Sequence, residues 1–181
     1  MKKHLCLLIV AVIVLFGAMA AGQDVELPGF GGADVDDGVR VNLTDARVKV
    51  AAGGAAPVGV RVNIEKGYHT YRKTLTVTPG EAWPEGFGLK LGDYPDPKRK
   101  FDPAFQQEME IYEAPSVTLP ATVTAGQGVA PGEYVLPIKV GLQSCLEDRC
   151  FMPRTMTLEM QVEVLPVGTV VPGAELAEAD E

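Results

Sequence analysis

The chain has 181 residues, and its 24 acidic side chains outnumber its 16 basic ones, which gives a formal net charge of −8 at pH 7. An acidic surface repels phosphate groups and anionic lipid headgroups, so the composition argues against binding to nucleic acid or to an anionic membrane surface. The length supports one domain with its own hydrophobic core rather than a small, disulfide-dense scaffold.

Residues 1–21 have the pattern of a secretory signal peptide. Two lysines precede an apolar run over residues 5–16, and small residues with an Ala-x-Ala pattern follow it. We expect cleavage after Ala20 or Ala21 and export to an oxidising compartment. An uncleaved membrane anchor is the alternative, although a span needs about 20 apolar residues. Cleavage removes two lysines and no acidic residue, so the net charge becomes −10, and it leaves two cysteines and one histidine.

The rest of the chain divides into three parts. Residues 22–45 are rich in Gly and Asp, which predicts a flexible lead-in. Residues 46–166 carry alternating apolar and polar positions with many β-branched side chains, which predict half-buried strands. Residues 167–181 are mostly small or acidic, and we predict a disordered tail. The alternation is clearest at residues 58–64, 74–78, 116–123, 134–140 and 156–164.

Turn residues separate these strands, and no stretch after residue 21 shows a convincing helical period. The pattern therefore predicts an all-β, antiparallel β-sandwich. Pro120 and Pro137 fall inside predicted strands, which places them at sheet edges or bulges. Residues 83–107 hold several prolines and a run of three basic residues, and they are predicted to form a long irregular loop with a covering or binding role.

Cys145 and Cys150 form the main candidate for chemistry. Cys145 ends one predicted strand and Cys150 begins the next, so a tight connection can bring them to bonding distance. A disulfide here closes a loop of about six residues and contributes roughly 2 kcal/mol, against roughly 4.7 kcal/mol for a 100-residue loop. This small contribution favours a redox-active pair, whereas export alone favours a structural bond. Spacing leaves both interpretations open.

Three sequence blocks together resemble the N-terminal periplasmic domain of the thiol:disulfide interchange protein DsbD. The first is Lys66–Lys73, the second is Phe105–Tyr112, and the third is the cysteine motif with Pro153. Their order and spacing agree with that family over about residues 45–165. The resemblance implies an immunoglobulin-like sandwich in the periplasm that works by thiol–disulfide exchange.

The same resemblance implies partners and roles. The domain would act as a monomer and as a component of a protein-disulfide reductase, without cofactor or metal. It would pass electrons between thioredoxin-fold donors and acceptors, with a separate membrane electron-transfer protein as the source. Cys150 would be the sulfur that partner cysteines attack, and Cys145 the resolving cysteine.

Three further residues are implicated by the resemblance. Phe105 matches an aromatic side chain that covers the disulfide, and a core residue under a long loop is the alternative. His69 and Tyr71 match two family tyrosines near the cysteines, and they share one face of a strand. His69 could accept a proton near neutral pH, or it could be a polar surface residue.

The chain departs from the family at several positions. Pro103 and Ala104 stand where acidic residues often precede the aromatic cover, and Asp102 is shifted by one residue, so its role in tuning a cysteine is in doubt. Met152 replaces a proline that often precedes Pro153.

Two other functions stay open. A non-redox β-sandwich could present loops to a partner and carry a structural hairpin disulfide. Alternatively, soft ligands could bind Cu(I); the candidates are Cys145, Cys150, His69 and Met152. The sequence argues against a conventional hydrolase, because one histidine remains after cleavage and no G-x-S-x-G motif occurs.

Overall fold

The computed structural model describes residues 37–103, 105–147 and 149–172. Strands dominate this part of the chain. A single turn of 3-10 helix covers Arg72–Thr74. The strands are β1 (Val39–Leu43), β2 (Arg47–Ala51), β3 (Gly54–Ile64), β4 (Tyr68–Tyr71), β5 (Thr76–Pro79), β6 (Phe87–Leu91), β7 (Lys98–Asp102), β8 (Gln107–Glu113), β9 (Ser116–Ala125), β10 (Gly132–Leu142), β11 (Ser144–Leu146), β12 (Arg149–Cys150) and β13 (Arg154–Leu165).

Two four-stranded sheets supply the main core. One has the strand order β1-β3-β9-β6, and the other has the order β2-β13-β10-β5. Alternate residues of β3, β9, β10 and β13 are buried, and these apolar side chains form one cluster between the sheets. All pairs in the two sheets are antiparallel except β2 with β13. The predicted all-β, immunoglobulin-like antiparallel sandwich is therefore confirmed.

A third sheet, in the order β12-β11-β4-β8-β7, holds the cysteine hairpin. Tyr112, on β8, packs into the main core. A second, smaller buried cluster contains Tyr71, Met109, Ile111 and Cys145. The third sheet thus carries a separate small core around the cysteines.

Two predictions about irregular segments are wrong within the described residues. The composition predicts a lead-in that runs to residue 45, but β1 pairs with β3 and Val39 is buried, so the sheet begins earlier. Residues 83–107 contain β6 and β7, each at the edge of its sheet. Edge strands pair on one side only, so their side chains can be mostly charged or exposed without the alternation of a buried strand.

Pro120 and Pro137 lie in β9 and β10, which are interior strands, so the expectation of an edge strand is wrong. Each proline faces a point where the neighbouring strand has ended. The Pro120 carbonyl accepts a hydrogen bond from the Gly92 amide just beyond β6, and the Pro137 carbonyl accepts one from the Gly80 amide just beyond β5. A missing amide hydrogen costs little at such local edges.

The predicted signal peptide (1–21), residues 22–36 of the lead-in and residues 173–181 of the tail lie outside the described residues. Residues 167–172 contain no strand. Within the described ranges, the structure has no helix with the length and hydropathy that a bilayer crossing needs.

Candidate functional site

A tight hairpin positions the two cysteines. β11 and β12 pair so that Cys145 lies directly opposite Cys150 and Leu146 opposite Arg149. Glu147, in the turn, has a left-handed backbone with φ of 54°. The two sulfur atoms form a disulfide, and the Cα atoms are 4.0 Å apart. The hairpin therefore brings together the pair that the sequence singled out.

The two sulfur-bearing residues differ in exposure. Cys145 is fully buried, whereas Cys150 is half-buried at the edge of the small cluster. Exchange requires a thiolate to approach one sulfur in line with the bond. Cys150 is thus the more accessible target.

The neighbouring strand β4 places His69 and Tyr71 beside the cysteines. His69 on β4 lies directly opposite Cys145 on β11, and residues directly opposite in a sheet point to the same face. Tyr71 follows two residues later on that face and pairs with Ile111 of β8. We call this surface, with Cys145, Cys150, His69, Tyr71 and Asp102, the site face.

Tyr71 links the disulfide to a buried carboxylate. Its hydroxyl oxygen lies 3.4 Å from the Cys150 sulfur, and its hydroxyl donates a hydrogen bond to Asp102. Burial raises the pKa of Tyr71 above its ordinary value, and the hydrogen bond and the charge of Asp102 raise it further. The phenol therefore stays protonated at neutral pH. Because its single proton goes to Asp102, its oxygen can accept a hydrogen bond from a Cys150 thiol.

Asp102 belongs to the site despite its shifted position in the sequence. It is buried at the end of β7, and one carboxylate oxygen also accepts the amide hydrogen of Phe105 at 3.3 Å. Asp102 pairs with Gln107, so the β7–β8 hairpin turns back immediately after it. This hairpin carries Asp102 to Tyr71 across a separation of 31 residues. The short turn therefore compensates for the offset of Asp102 in the sequence and brings its carboxylate to Tyr71.

Phe105 occupies the turn between β7 and β8. Its side chain is 44% exposed, so it is not a core residue. The ring packs edge-on against Tyr71 with centroids 5.7 Å apart. The next residue, Gln106, is left-handed with φ of 52°. Phe105 therefore packs on Tyr71, the residue that contacts Cys150. An aromatic cover of the disulfide would lie at this position.

His69 is buried, so the interpretation as a polar surface residue is wrong. Its ring packs edge-on against Tyr71, with centroids 5.4 Å apart. Burial lowers the pKa of His69, and the nearby Lys100 charge lowers it further, while Asp102 and Glu113 oppose the shift. At neutral pH the imidazole is therefore uncharged and can act as a proton acceptor or donor.

The structure offers little support for the copper hypothesis. Both cysteine sulfurs are bonded to each other, and Met152 is 85% exposed. Across residues 37–103, 105–147 and 149–172, no group of three His, Cys, Asp or Glu side chains converges as metal ligands would.

Sequence reasoning missed Lys73. Its ammonium nitrogen lies 4.6 Å from the centroid of the Phe105 ring and 5.7 Å from that of Tyr71. Lys73 lies in the 3-10 turn directly after β4, two residues beyond Tyr71. That proximity to Tyr71 was visible in the sequence, but the contact with Phe105 depends on the fold.

Comparison with known protein families gives one match that covers most of the described chain. The family described as the N-terminal part of thiol:disulfide interchange protein DsbD matches residues 40–161, a range that contains every site residue named above. No protein of curated function matches the chain.

Two solved structures are similar in fold. The DsbD N-terminal domain of Neisseria meningitidis, in the reduced form, is 18% identical with a TM-score of 0.38, and the match covers 61% of this chain and 86% of that one. The N-terminal periplasmic domain of ScsB from Proteus mirabilis is 13% identical with a TM-score of 0.47, and the match covers 68% of this chain and 46% of that one. At these identities the likeness concerns the fold alone.

Proposed function

Since the chain belongs to the family of the DsbD N-terminal domain, we propose that it carries reducing equivalents between thioredoxin-fold proteins through the Cys145–Cys150 couple. The observation that carries this proposal is the asymmetry of the disulfide. Cys145 is buried, whereas Cys150 is half-buried and contacts Tyr71, on which the partly exposed Phe105 ring packs. A purely structural bond does not require one of its cysteines to be partly exposed.

The exchange runs in two balanced halves. A partner thiolate attacks the Cys150 sulfur, the disulfide breaks, and Cys145 leaves as the thiolate and takes up a proton. The partner's second thiolate then attacks its own mixed-disulfide sulfur, which frees Cys150 and leaves the partner oxidised. In the second half, Cys150 attacks a client disulfide, and Cys145 attacks the Cys150 sulfur to release the reduced client.

The residues around Cys150 assist this chemistry. Phe105 covers the approach to the site and suppresses exchange with small thiols until a partner moves it. In the reduced state the Cys150 thiol can donate a hydrogen bond to Tyr71, which in turn donates to Asp102. This chain of hydrogen bonds gives the thiol proton a route towards a carboxylate.

The location and partners belong to the same proposal. A signal peptide directs the chain to the periplasm, where it acts as a monomeric component of a protein-disulfide reductase. A separate membrane electron-transfer protein supplies the electrons, and other thioredoxin-fold proteins receive them.

A trapping experiment tests the function. Cys145→Ser leaves Cys150 without a resolving partner. We therefore expect a stable mixed disulfide with a thioredoxin-fold protein that keeps only its attacking cysteine, activated as a disulfide with a small aromatic thiol, which leaves when Cys150 attacks. Cys150→Ser is the matched control and should trap much less, because Cys145 is buried. The proposal fails if neither variant couples, or if the wild-type disulfide is reduced no faster by thioredoxin than by an equal concentration of a small dithiol.

A structural disulfide in a non-redox binding domain is the second candidate, and the complete burial of Cys145 favours it. The reduction potential separates the two. A value well below about −300 mV fits an inert structural bond, and a higher value fits a carrier.

A further inference from the structure

Two side chains contact the Phe105 ring. Tyr71 packs edge-on against it, and the Lys73 ammonium lies 4.6 Å from its centroid. A cation over an aromatic face is attracted by the negative potential of the ring. The same ammonium lies 5.7 Å from the Tyr71 ring centroid, so Lys73 contacts both aromatic side chains. Lys73 therefore fixes the position of the cover relative to the residue that touches Cys150.

Lys73 differs from two cations of β7 in the kind of partner that it contacts. On β7, Lys98 pairs with Glu113 and Arg99 pairs with Glu110. Over the part of the chain that the structure describes, Lys73 is exposed and has no carboxylate within ion-pair distance. Its charge is thus available to a carboxylate from outside.

We propose that Lys73 determines which partners can open the site, by exchanging its contact with Phe105 for a carboxylate that the partner carries beside its attacking cysteine. This inference rests on the proposed exchange function and adds the chemistry of the partner. A partner that reaches Cys150 must displace Phe105, and the displaced ring loses its cation. A carboxylate at the rim of the partner's cysteine motif compensates for that loss, because it forms a charge-assisted hydrogen bond with the Lys73 ammonium that the docked partner shields from solvent. A partner with a neutral rim offers no such compensation.

Two peptide probes of similar size, one with an acidic and one with a neutral flanking residue, test the proposal. Two dithiol peptides with a Cys-x-x-Cys motif are compared as reductants of the oxidised protein, one with Asp beside the motif and one with Asn. Samples are quenched with an alkylating agent, and mass spectrometry of the protein gives the fraction whose two cysteines are alkylated. Dithiothreitol serves as a small dithiol without a rim. The ratio of wild-type to variant rate is compared for each probe, so the intrinsic reactivity of each peptide cancels.

Three variants isolate the charge. Lys73→Met keeps the apolar length of the side chain, Lys73→Arg keeps a cation, and Lys90→Met removes an exposed lysine of β6 on a different sheet. We expect Lys73→Met to accelerate reduction by dithiothreitol by about two- to fivefold. This factor corresponds to the free energy of an exposed cation–π contact. The advantage of the Asp peptide over the Asn peptide should fall in Lys73→Met by a similar factor. Lys73→Arg and Lys90→Met should both behave like the wild type.

A double variant shows whether Lys73 acts through the cover. In a Phe105→Ala background, Lys73→Met should no longer change the dithiothreitol rate, because the two changes remove one interaction. An unchanged rate in Lys73→Met alone, or an unchanged preference between the peptides, would overturn the proposal. Failure of the exchange function itself would appear elsewhere, as a wild-type protein that thioredoxin reduces no faster than dithiothreitol does.

Discussion

The hydroxyl of Tyr71 is shared between the redox pair and a buried acid: its oxygen lies 3.4 Å from the Cys150 sulfur, and its proton is donated to Asp102. This places one polar group at the junction of the disulfide, the aromatic cover and the β7–β8 hairpin. The loss of unfolding free energy on removal of this hydroxyl therefore measures how much its contacts stabilise the site.

Tyr71→Phe should lower the free energy of unfolding by about 1.5–3 kcal/mol, the usual worth of a hydrogen bond to a charged group, because it takes a donor from a buried carboxylate. Urea denaturation of the oxidised protein measures this loss. Tyr134→Phe is the matched control, since its hydroxyl donates to the Ala130 carbonyl at an exposed position and should cost no more than about 1 kcal/mol. Equal losses for the two variants would mean that the contact with Asp102 adds nothing.

Phe105→Ala should accelerate the reaction of the disulfide with small thiols, because the ring that packs on Tyr71 beside Cys150 is removed. Phe101→Ala is the control: Phe101 is a neighbouring aromatic residue on β7, and it is 60% exposed. Stopped-flow reduction with dithiothreitol compares the two variants with the wild type. If Phe101→Ala accelerates the reaction as much as Phe105→Ala, or if neither does, Phe105 is not a cover.

The strands of the main core were predictable because each buries one face against many apolar side chains. Residues 58–64 of β3 alternate cleanly for this reason. The alternation of apolar and polar residues is much weaker in the five strands of the third sheet, β4, β7, β8, β11 and β12. Their shared buried face is small and mixes polar with apolar groups, as in His69 opposite Cys145 and Glu113. Charged side chains on an edge strand such as β7 look like a solvated loop in the sequence.

The cysteines and their neighbours were identified by chemistry and by order along the chain, while Asp102 and Lys73 depended on geometry. Asp102 reaches Tyr71 only because β7 and β8 are joined by a short turn. Lys73 reaches Phe105 only because the 3-10 turn after β4 directs it there. Neither contact leaves a periodic signal, since each joins residues about 30 positions apart through a turn.

The burial of His69 should make the free energy of unfolding depend on pH. Burial lowers its pKa below the ordinary value of 6.5, so the unfolded chain takes up a proton near pH 6.5 while the folded chain does so only at lower pH. Between those two pH values the unfolded state binds more protons. The free energy of unfolding should therefore fall as the pH drops below about 6.5.

His69→Asn should lose this dependence. Urea titrations of the wild type and the variant between pH 5 and 7.5 give a stability difference that shrinks as the pH falls, and the subtraction cancels the shared titration of carboxyl groups. Lys100, Asp102 and Glu113, which surround the imidazole, are unchanged by the substitution. A stability difference that is constant over this range would show that the folded and unfolded chains bind the His69 proton equally well.

Asp37 and Arg154 form the most buried ion pair among the described residues. Arg154 donates from Nε and Nη2 to the two carboxylate oxygens of Asp37, at 2.7 and 2.8 Å, and Asp37 is buried. The same guanidinium donates to the Val39 carbonyl at the start of β1. Asp37→Ala leaves a mostly buried guanidinium without its carboxylate, so we expect a loss of about 3–5 kcal/mol in urea denaturation.

The control for this loss is an ion pair on the surface. The Lys49 ammonium nitrogen lies 2.7 Å from a carboxylate oxygen of Glu163, but both side chains are far more exposed, so Lys49→Ala should cost at most about 1 kcal/mol.

A chain that starts at residue 46, the boundary expected from composition, lacks both Asp37 and β1 and should be at least as unstable as Asp37→Ala. If that shortened chain unfolds at the same urea concentration as one that starts at residue 37, the first strand and its ion pair contribute nothing to the sandwich.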